Sequence, residues 1–386
     1  MSVVGTHDSQ AIAMLCAPIA VGAAKPLTPA EWARLAATIH TSELARPGAL
    51  VGLTAAGLAD QLGVDRVLAE RVASLLDRGG TLAFEIERLE SRGIWMVARS
   101  DDAYPELLRL RLGLRAPAVL FGAGRREVVP DLGVAVVGSR DASEAALAFA
   151  GDLGRSVATE GATLVSGAAR GVDRAAMSGA MDAGGSAVGV VADSLVRLTQ
   201  QPDVRASLAD ELLTLVTPYA PEGRFSVGNA MGRNRFIYCL SDAAVVVATS
   251  AGSGGTWAGA IENLKAGWVP LWVWSAHAAP SGNRELLSAG GRALEAPLPV
   301  GSLTADGSAA SERPGDEEDA LLRSIESFLS TRRTEREVCD GLGLTQAEAR
   351  RLLRHGVESG RLVRGGKPFR YVAAGARHQA TLFDAA

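Results

Sequence analysis

The residues GVAVVGSRDASEAALAFAGDLGRSVATEGATLVSGAARGVD, positions 133–173, decide how the chain is read. They hold an apolar run (Val134 to Val137), a Gly-Ser-Arg turn, a helix-period segment, a second apolar run (Thr163 to Ser166) and a second Gly/Arg turn. Strand, turn, helix, strand, turn is the repeating unit of a parallel sheet with crossover helices. Each turn follows a strand and opens a helix, where unpaired backbone N–H groups carry partial positive charge. Each also supplies an arginine, Arg140 or Arg170, beside small residues that let a ligand approach the backbone. The pattern proposes an edge that binds phosphate.

Working outward, 386 residues leave room for two or three domains. A hydrophobic content of 47% with 21% charged residues belongs to a globular chain. The formal charge of −4 argues against a generally polycationic nucleic-acid binder, while leaving local basic patches open. Cys16, Cys239 and Cys339 form no CxxC pair and the histidines do not cluster with them. No metal site and no disulfide framework is expected, and a reducing cytoplasm fits. Residues 11–24 have the apolarity of a signal segment but no Lys or Arg before them, so they read as a buried first helix. No run reaches transmembrane length, and no membrane association is expected.

Thr28-Pro-Ala-Glu31 offers a cap, a first-turn proline and a capping-box glutamate. Helices are expected over 29–40, 54–77 with a break at Gly63, and 81–91, an N-terminal helical module (SAM/HhH-like) within residues 1–100. Two short extended pieces around a helical turn lead into a sheet domain over 101–299. Within it, strands are expected at 186–192, 213–217, 243–248 and 269–274, with helices over 173–183, 232–241 and from the 250–256 loop to 266. Residues 193–212 are ill-defined, and 218–232 read as an ordered surface loop. Residues 300–319 read as a linker. Helices and a hairpin turning at Gly365-Gly366 over 320–373 make a winged-helix pattern, and 374–386 a tail.

Four clusters could carry chemistry. Gly138, Ser139 and Arg140 suit phosphate contact, and equally an ordinary turn with a surface arginine. Ser166, Gly167, Arg170 and Gly171 permit close approach, with Asp173 orienting an arginine or starting a helix. Arg233, Asn234 and Arg235 stand at an expected helix start after Gly232, where arginines oppose the helix dipole unless an anion is bound; the alternative is a solvated terminus. Gly254, Gly255 and Thr256 form another anion nest. Glu262 reads as a helix-surface charge; Trp268, Trp272 and Trp274 could stack bases, and Trp272 and Trp274, sharing a strand face, read rather as packing against a helix. There is no Walker A sequence, HExxH or GxSxG, so the catalytic-residue expectation is none and the edge reads as a binder.

These elements, in this order, resemble the DprA/Smf family of bacterial DNA-processing proteins. The matching residues are Val136-Val-Gly-Ser-Arg140, Ser166-Gly-Ala-Ala-Arg-Gly-Val-Asp173, Gly232-Arg-Asn-Arg235, Gly254-Gly-Thr256 and Ser281-Gly-Asn283, with Arg92-Gly-Ile and Asp102-Ala-Tyr-Pro upstream. The resemblance covers about residues 30–295, and to about 373 with the winged helix commonly appended. It implies an α/β, Rossmann-like, mostly parallel sheet that binds single-stranded DNA, forms a homodimer, needs no cofactor and helps load RecA recombinase. The family's Gly-Ser-Leu-Ile-Thr-Ala loop is here Gly255-Thr-Trp-Ala-Gly-Ala260, and Trp274 lacks the usual following Pro-Gly. Two rivals stand beside this reading. One is a nucleotide sensor of a stress or antiphage system. The other is a LOG-type nucleotide phosphoribohydrolase, whose GGxGTxxE spacing is missing because Thr256 and Glu262 are six residues apart.

Overall fold

A computed structural model of the chain describes residues 6–19, 24–126, 132–304, 325, 326, 328, 329, 331–342, 346–365 and 369–373. The chain divides into two units, Met1–Gly307 and Ser308–Ala386.

The first unit opens with α1 (His7–Cys16), α2 (Pro29–Thr41), α3 (Ala55–Leu62), α4 (Arg66–Leu76) and α5 (Gly79–Glu90). The Thr28/Glu31 capping box is formed in full, and Gly63, at φ +63°, ends α3 as the expected break. Ala11 to Ala17 are buried, as a first core helix requires. Then come β1 (Ile94–Ala98), α6 (Glu106–Leu112), β2 (Val119–Ala123), β3 (Gly133–Gly138), α7 (Glu144–Thr159), β4 (Thr163–Ser166), α8 (Val172–Asp182) and β5 (Ala187–Val190). After these the chain forms α9 (Leu195–Leu198), α10 (Pro202–Ala209), β6 (Leu213–Thr217), α11 (Val227–Cys239), β7 (Ala243–Ala248) and α12 (Gly254–Ala266). The unit closes with β8 (Leu271–Trp274), α13 (Ser281–Ser288), β9 (Arg292–Leu294) and α14 (Val300–Thr304).

The strands form one sheet in the order β1-β2-β6-β5-β4-β3-β7-β8-β9. From β6 to β9 every neighbouring pair is parallel, while β1 with β2 and β2 with β6 are antiparallel. Because successive side chains on a strand face opposite sides, Val134 and Val136 of β3 enter one layer with α7 and α8. Ala135 and Val137 enter the other with α6, α11 and α13. The crossing of α7 and α8 is close: a Cβ at Gly154 would strike the Ala176 carbonyl, and one at Gly179 the Gly151 backbone.

Four sequence expectations change. The N-terminal helices do not stand apart at residue 100, because Leu35, Leu58, Leu75 and Ile86 share one core with the sheet, and β1 is already a strand at Ile94. Residues 193–212 hold α9 and α10. The first residues of the expected linker form α14, which buries Val300 and Leu303; most of that linker and all of the expected tail lie outside the described residues. Finally, α11 begins at Val227 rather than 232, because the Ser226 hydroxyl accepts from the Asn229 N–H at 3.0 Å and caps the helix there.

In the second unit, β10 (Arg333–Thr334), α15 (Glu335–Leu342), α16 (Gln346–Glu358), β11 (Leu362–Gly365) and β12 (Arg370–Ala373) follow in order. The strands form an antiparallel sheet, β10-β12-β11. Ile325, Leu329, Val338, Leu352, Leu353 and Tyr371 fill a separate core.

Candidate nucleic-acid interface

The chain leaves β3 in two directions: β4, β5 and β6 add on one side, β7, β8 and β9 on the other. Such a reversal opens a crevice at the carboxyl ends of the two strands flanking it, here β3 and β7, where ligands of open α/β sheets bind. A cavity of about 430 Å³ lies there. Its walls are the turn after β3 (Gly138, Ser139, Arg140), α11 (Asn234 among others) and the start of α12 (Gly254, Gly255, Thr256).

The three expected anion-binding helix ends differ. The amino end of α7 is closed by Ser143, whose hydroxyl accepts from the Ala146 N–H at 3.3 Å. At α8, the Val172 N–H donates to the Ser139 carbonyl at 3.2 Å. Each of these turns therefore spends one donor on the protein itself. The amino end of α12 is different. Ser253 sits at the cap position in extended backbone, and its side chain makes no capping bond. Gly254 has φ +87° with open space where a Cβ would lie, so α12 presents an uncapped end to the cavity.

Arg140 is exposed, and its guanidinium carbon lies 5.2 Å from the centre of the Phe225 ring. Phe225, Val227 and Met231 are 44%, 67% and 47% exposed and line the same cavity. An apolar, aromatic wall thus faces a cation and a set of amide donors. These three residues were missed in the sequence because they fall in the stretch read as a loop. Their signal is a set of large apolar side chains among Gly and Pro, Phe225 just before α11 and Val227 and Met231 one turn apart in its first turns.

Other expected site residues support this surface from below. The Ser166 hydroxyl donates to the Val136 carbonyl at 2.6 Å and is buried. Gly167 leaves room for the Arg233 guanidinium and Asp173 carboxylate, which a Cβ would strike. Arg233 is 5% exposed and donates to the Val190 carbonyl at 2.8 Å. Asp173, also 5% exposed, accepts from the Gly138 N–H at 3.3 Å. Burial pushes the Asp173 carboxyl up, against the opposing pull of Arg233 and the Ala169, Gly138 and Gly167 amides. Burial likewise pushes the Arg233 guanidinium down, against Asp173. This pair joins the turn after β3, the loop after β4, the end of β5 and α11.

Because α11 starts at Val227, the Arg233-Asn234-Arg235 triplet lies in mid-helix, and the dipole conflict expected at a terminus does not arise. Asn234 donates to the Gly255 carbonyl at 2.8 Å and holds α11 against α12. Arg235 is half-buried, 3.5 Å from Glu262, and is absent from the cavity lining. Arg170 pairs with Asp141 at 2.9 Å on the open surface, and Gly171 (φ +82°) lets the two glycine turns touch backbone to backbone. Asn283 fixes the loop after β7, accepting from the Thr249 N–H and donating to the Val247 and Trp274 carbonyls. Trp274 stacks on Phe149 at 5.1 Å and Trp272 donates to the Leu303 carbonyl, so both serve packing. No helix among the described residues is long and apolar enough to cross a membrane.

A family model described as DNA recombination-mediator protein A matches residues 95–297. A putative DNA processing protein DprA of Mycobacterium tuberculosis is 31% identical over 202 residues, 48% of this chain and 51% of that protein. Protein Smf of Escherichia coli is 27% identical over 207 residues, 51% of this chain and 55% of that protein. The chain thus spans about half the length of the curated relatives it matches. The X-ray structure of DNA processing protein A from Streptococcus pneumoniae aligns with a TM-score of 0.53 at 20% identity, covering 72% of this chain and 93% of that one. At that identity the likeness is one of fold.

Proposed function

The chain belongs to the DNA recombination-mediator protein A family, and on that premise we propose that its switch-point cavity binds single-stranded DNA without sequence preference. The observation that carries the reading is Arg140 set over exposed Phe225 opposite the uncapped end of α12. A phosphate fits the guanidinium and the α12 amides. A base, which every strand offers as a flat face, fits the aromatic wall. Within this reading Gly138, Ser139, Arg140, Gly254, Gly255 and Thr256 face the strand. Asp173, Arg233 and Asn234 hold the elements that carry them, and Ser166, Gly167 and Gly171 make the tight backbone contacts beneath.

The cavity performs no covalent chemistry in this account. Its two lining carboxylates are both engaged, Asp141 with Arg170 and Asp173 with backbone amides. Handing the strand to RecA, and acting as a homodimer, complete the proposal; their support is the family resemblance. The nucleotide-sensor reading draws on one observation, a cavity of about 430 Å³, in the range of small-ligand sites.

Fluorescence anisotropy with labelled oligo-dT across a salt series tests the proposal. Binding should weaken with a log–log slope of about −0.7 per contacted phosphate, and Arg140→Ala should flatten that slope by about one contact. Phe225→Ala should cost about 1–3 kcal/mol, or roughly 5- to 150-fold in Kd. Saturable binding of a mononucleotide with no oligo-dT binding at low salt would replace this reading with the sensor.

A further inference from the structure

The stretch Leu321–Tyr371 of the second unit carries a local positive charge that the switch-point cavity does not use, although Ser308–Ala386 as a whole holds 13 Lys and Arg against 12 Asp and Glu. From Leu321 to Tyr371 the sequence holds 11 Lys and Arg against 6 Asp and Glu, in a chain whose overall charge is −4. Three carboxylates of the unit are engaged within it. Glu326 accepts from Arg361 at 2.7 and 2.8 Å, Glu335 from Arg350 at 2.9 Å, and Glu337 caps the start of α15 through Thr334. Arg332, Arg354, Arg364 and Arg370 are left on the surface.

We propose that this unit is a winged helix that binds the backbone of duplex DNA through α16 and the paired strands β11 and β12. The inner side of α16 buries Ala349, Leu352 and Leu353 in the unit's own core, while Arg350 and Arg354, one turn apart, are exposed. On β11, Arg364 lies 3.5 Å over the half-exposed Phe369 ring and 6.0 Å from Tyr371. Stacking fixes the guanidinium without neutralising it, so its planar fork is held ready for a phosphate. A helix and a two-stranded ribbon are the two elements a B-DNA major groove admits, and cations on both fit the phosphates flanking it. A helix of 13 residues, roughly 20 Å long, covers more than half of one duplex turn. The inference concerns a different unit from the single-strand cavity and does not rest on that reading.

The test uses the full chain, a labelled duplex of mixed sequence and a salt series. Arg354→Ala/Arg364→Ala should reduce the duplex salt slope by about 1.8, two contacts at 0.9 each. Between about 50 and 200 mM salt the parent should then lose about twelve-fold more affinity than the variant. A parent that ignores duplex at low salt, or an unchanged slope in the double variant, overturns the proposal. Hydrogen exchange of the parent gives a readout independent of any variant's folding. Duplex should slow exchange over Gln346–Gly365, and unchanged exchange there also overturns it, leaving a protein partner as the alternative use of this surface.

Discussion

Arg233→Ala should damage stability far more than it alters the way binding responds to salt. The Arg233 guanidinium and the Asp173 carboxylate are each 5% exposed, and the guanidinium also satisfies the Val190 carbonyl. Truncation removes the cation facing a buried carboxylate, leaving it to the Ala169, Gly138 and Gly167 amides, and takes the donor from the Val190 carbonyl, which together cost about 3–5 kcal/mol. In a unit of this size each kcal/mol moves the midpoint by roughly 2 °C, so Tm should fall by roughly 6–10 °C. The deficit depends on pH. Burial already pushes the Asp173 carboxyl up and Arg233 restrains it, so the variant's carboxyl takes up a proton at higher pH than the parent's. A folded-state pKa above the unfolded one means the folded state binds the proton first. Stability lost at neutral pH is therefore regained as pH falls through the folded pKa. Thermal unfolding followed by circular dichroism at neutral and mildly acidic pH reads both effects. Pairing Arg233→Met with Asp173→Asn should recover most of the loss, because no buried charge then remains. An Arg233→Ala protein that melts with the parent yet loses one phosphate's worth of salt slope would show that this arginine reaches the strand, and the buried-pair reasoning would be wrong.

Other expectations address separate parts of the molecule. Ser253→Asp should cap α12 and raise stability by about 0.5–1 kcal/mol while weakening oligo-dT binding, since the new carboxylate occupies the anion's place; melting and anisotropy on one variant check both. Burial pushes the Cys239 thiol up to about 12 and the Cys16 thiol up as well. A thiol reagent should therefore titrate only Cys339 in the native protein and all three cysteines in urea. Glu31 is held down at about 2, first by Arg71 and then by Thr28. Its stabilisation is complete above its ordinary 4.5 and is lost as pH falls toward about 2, and acid unfolding of Glu31→Gln should lack that component.

What the sequence made legible follows the strength of local signals. Val134–Val137 and Ala243–Ala248 are apolar runs of strand length, and each forms a central strand of the sheet. Thr28 and Glu31 have the spacing of a capping box and make one. The onset of α11 was hidden because Gly228 and Gly232 are poor helix formers, while the Ser226 cap and packing against the sheet outweigh them. That one boundary changed the reading of the arginines. With helix period, Arg233 shares a face with Ile237 and Leu240, both buried, so its inward direction was present in the spacing. The exposed wall of Phe225, Val227 and Met231 is announced only by the single i, i+4 pair Val227/Met231, too short a pattern to mark a helix among glycines, and the crevice between β3 and β7 gives those side chains a purpose. No local pattern states that Ser143 closes α7 while the α12 end stays open, because capping depends on where each hydroxyl points.

Photo-cross-linking addresses the switch-point cavity most directly. Oligo-dT carrying 5-iodouracil, bound to the full chain and irradiated, should attach to the peptide containing Phe225, with the yield falling sharply in Arg140→Ala. Bound oligonucleotide that cross-links only to peptides outside the β3 turn, α11 and the start of α12 would contradict the placement of single-stranded DNA in this cavity.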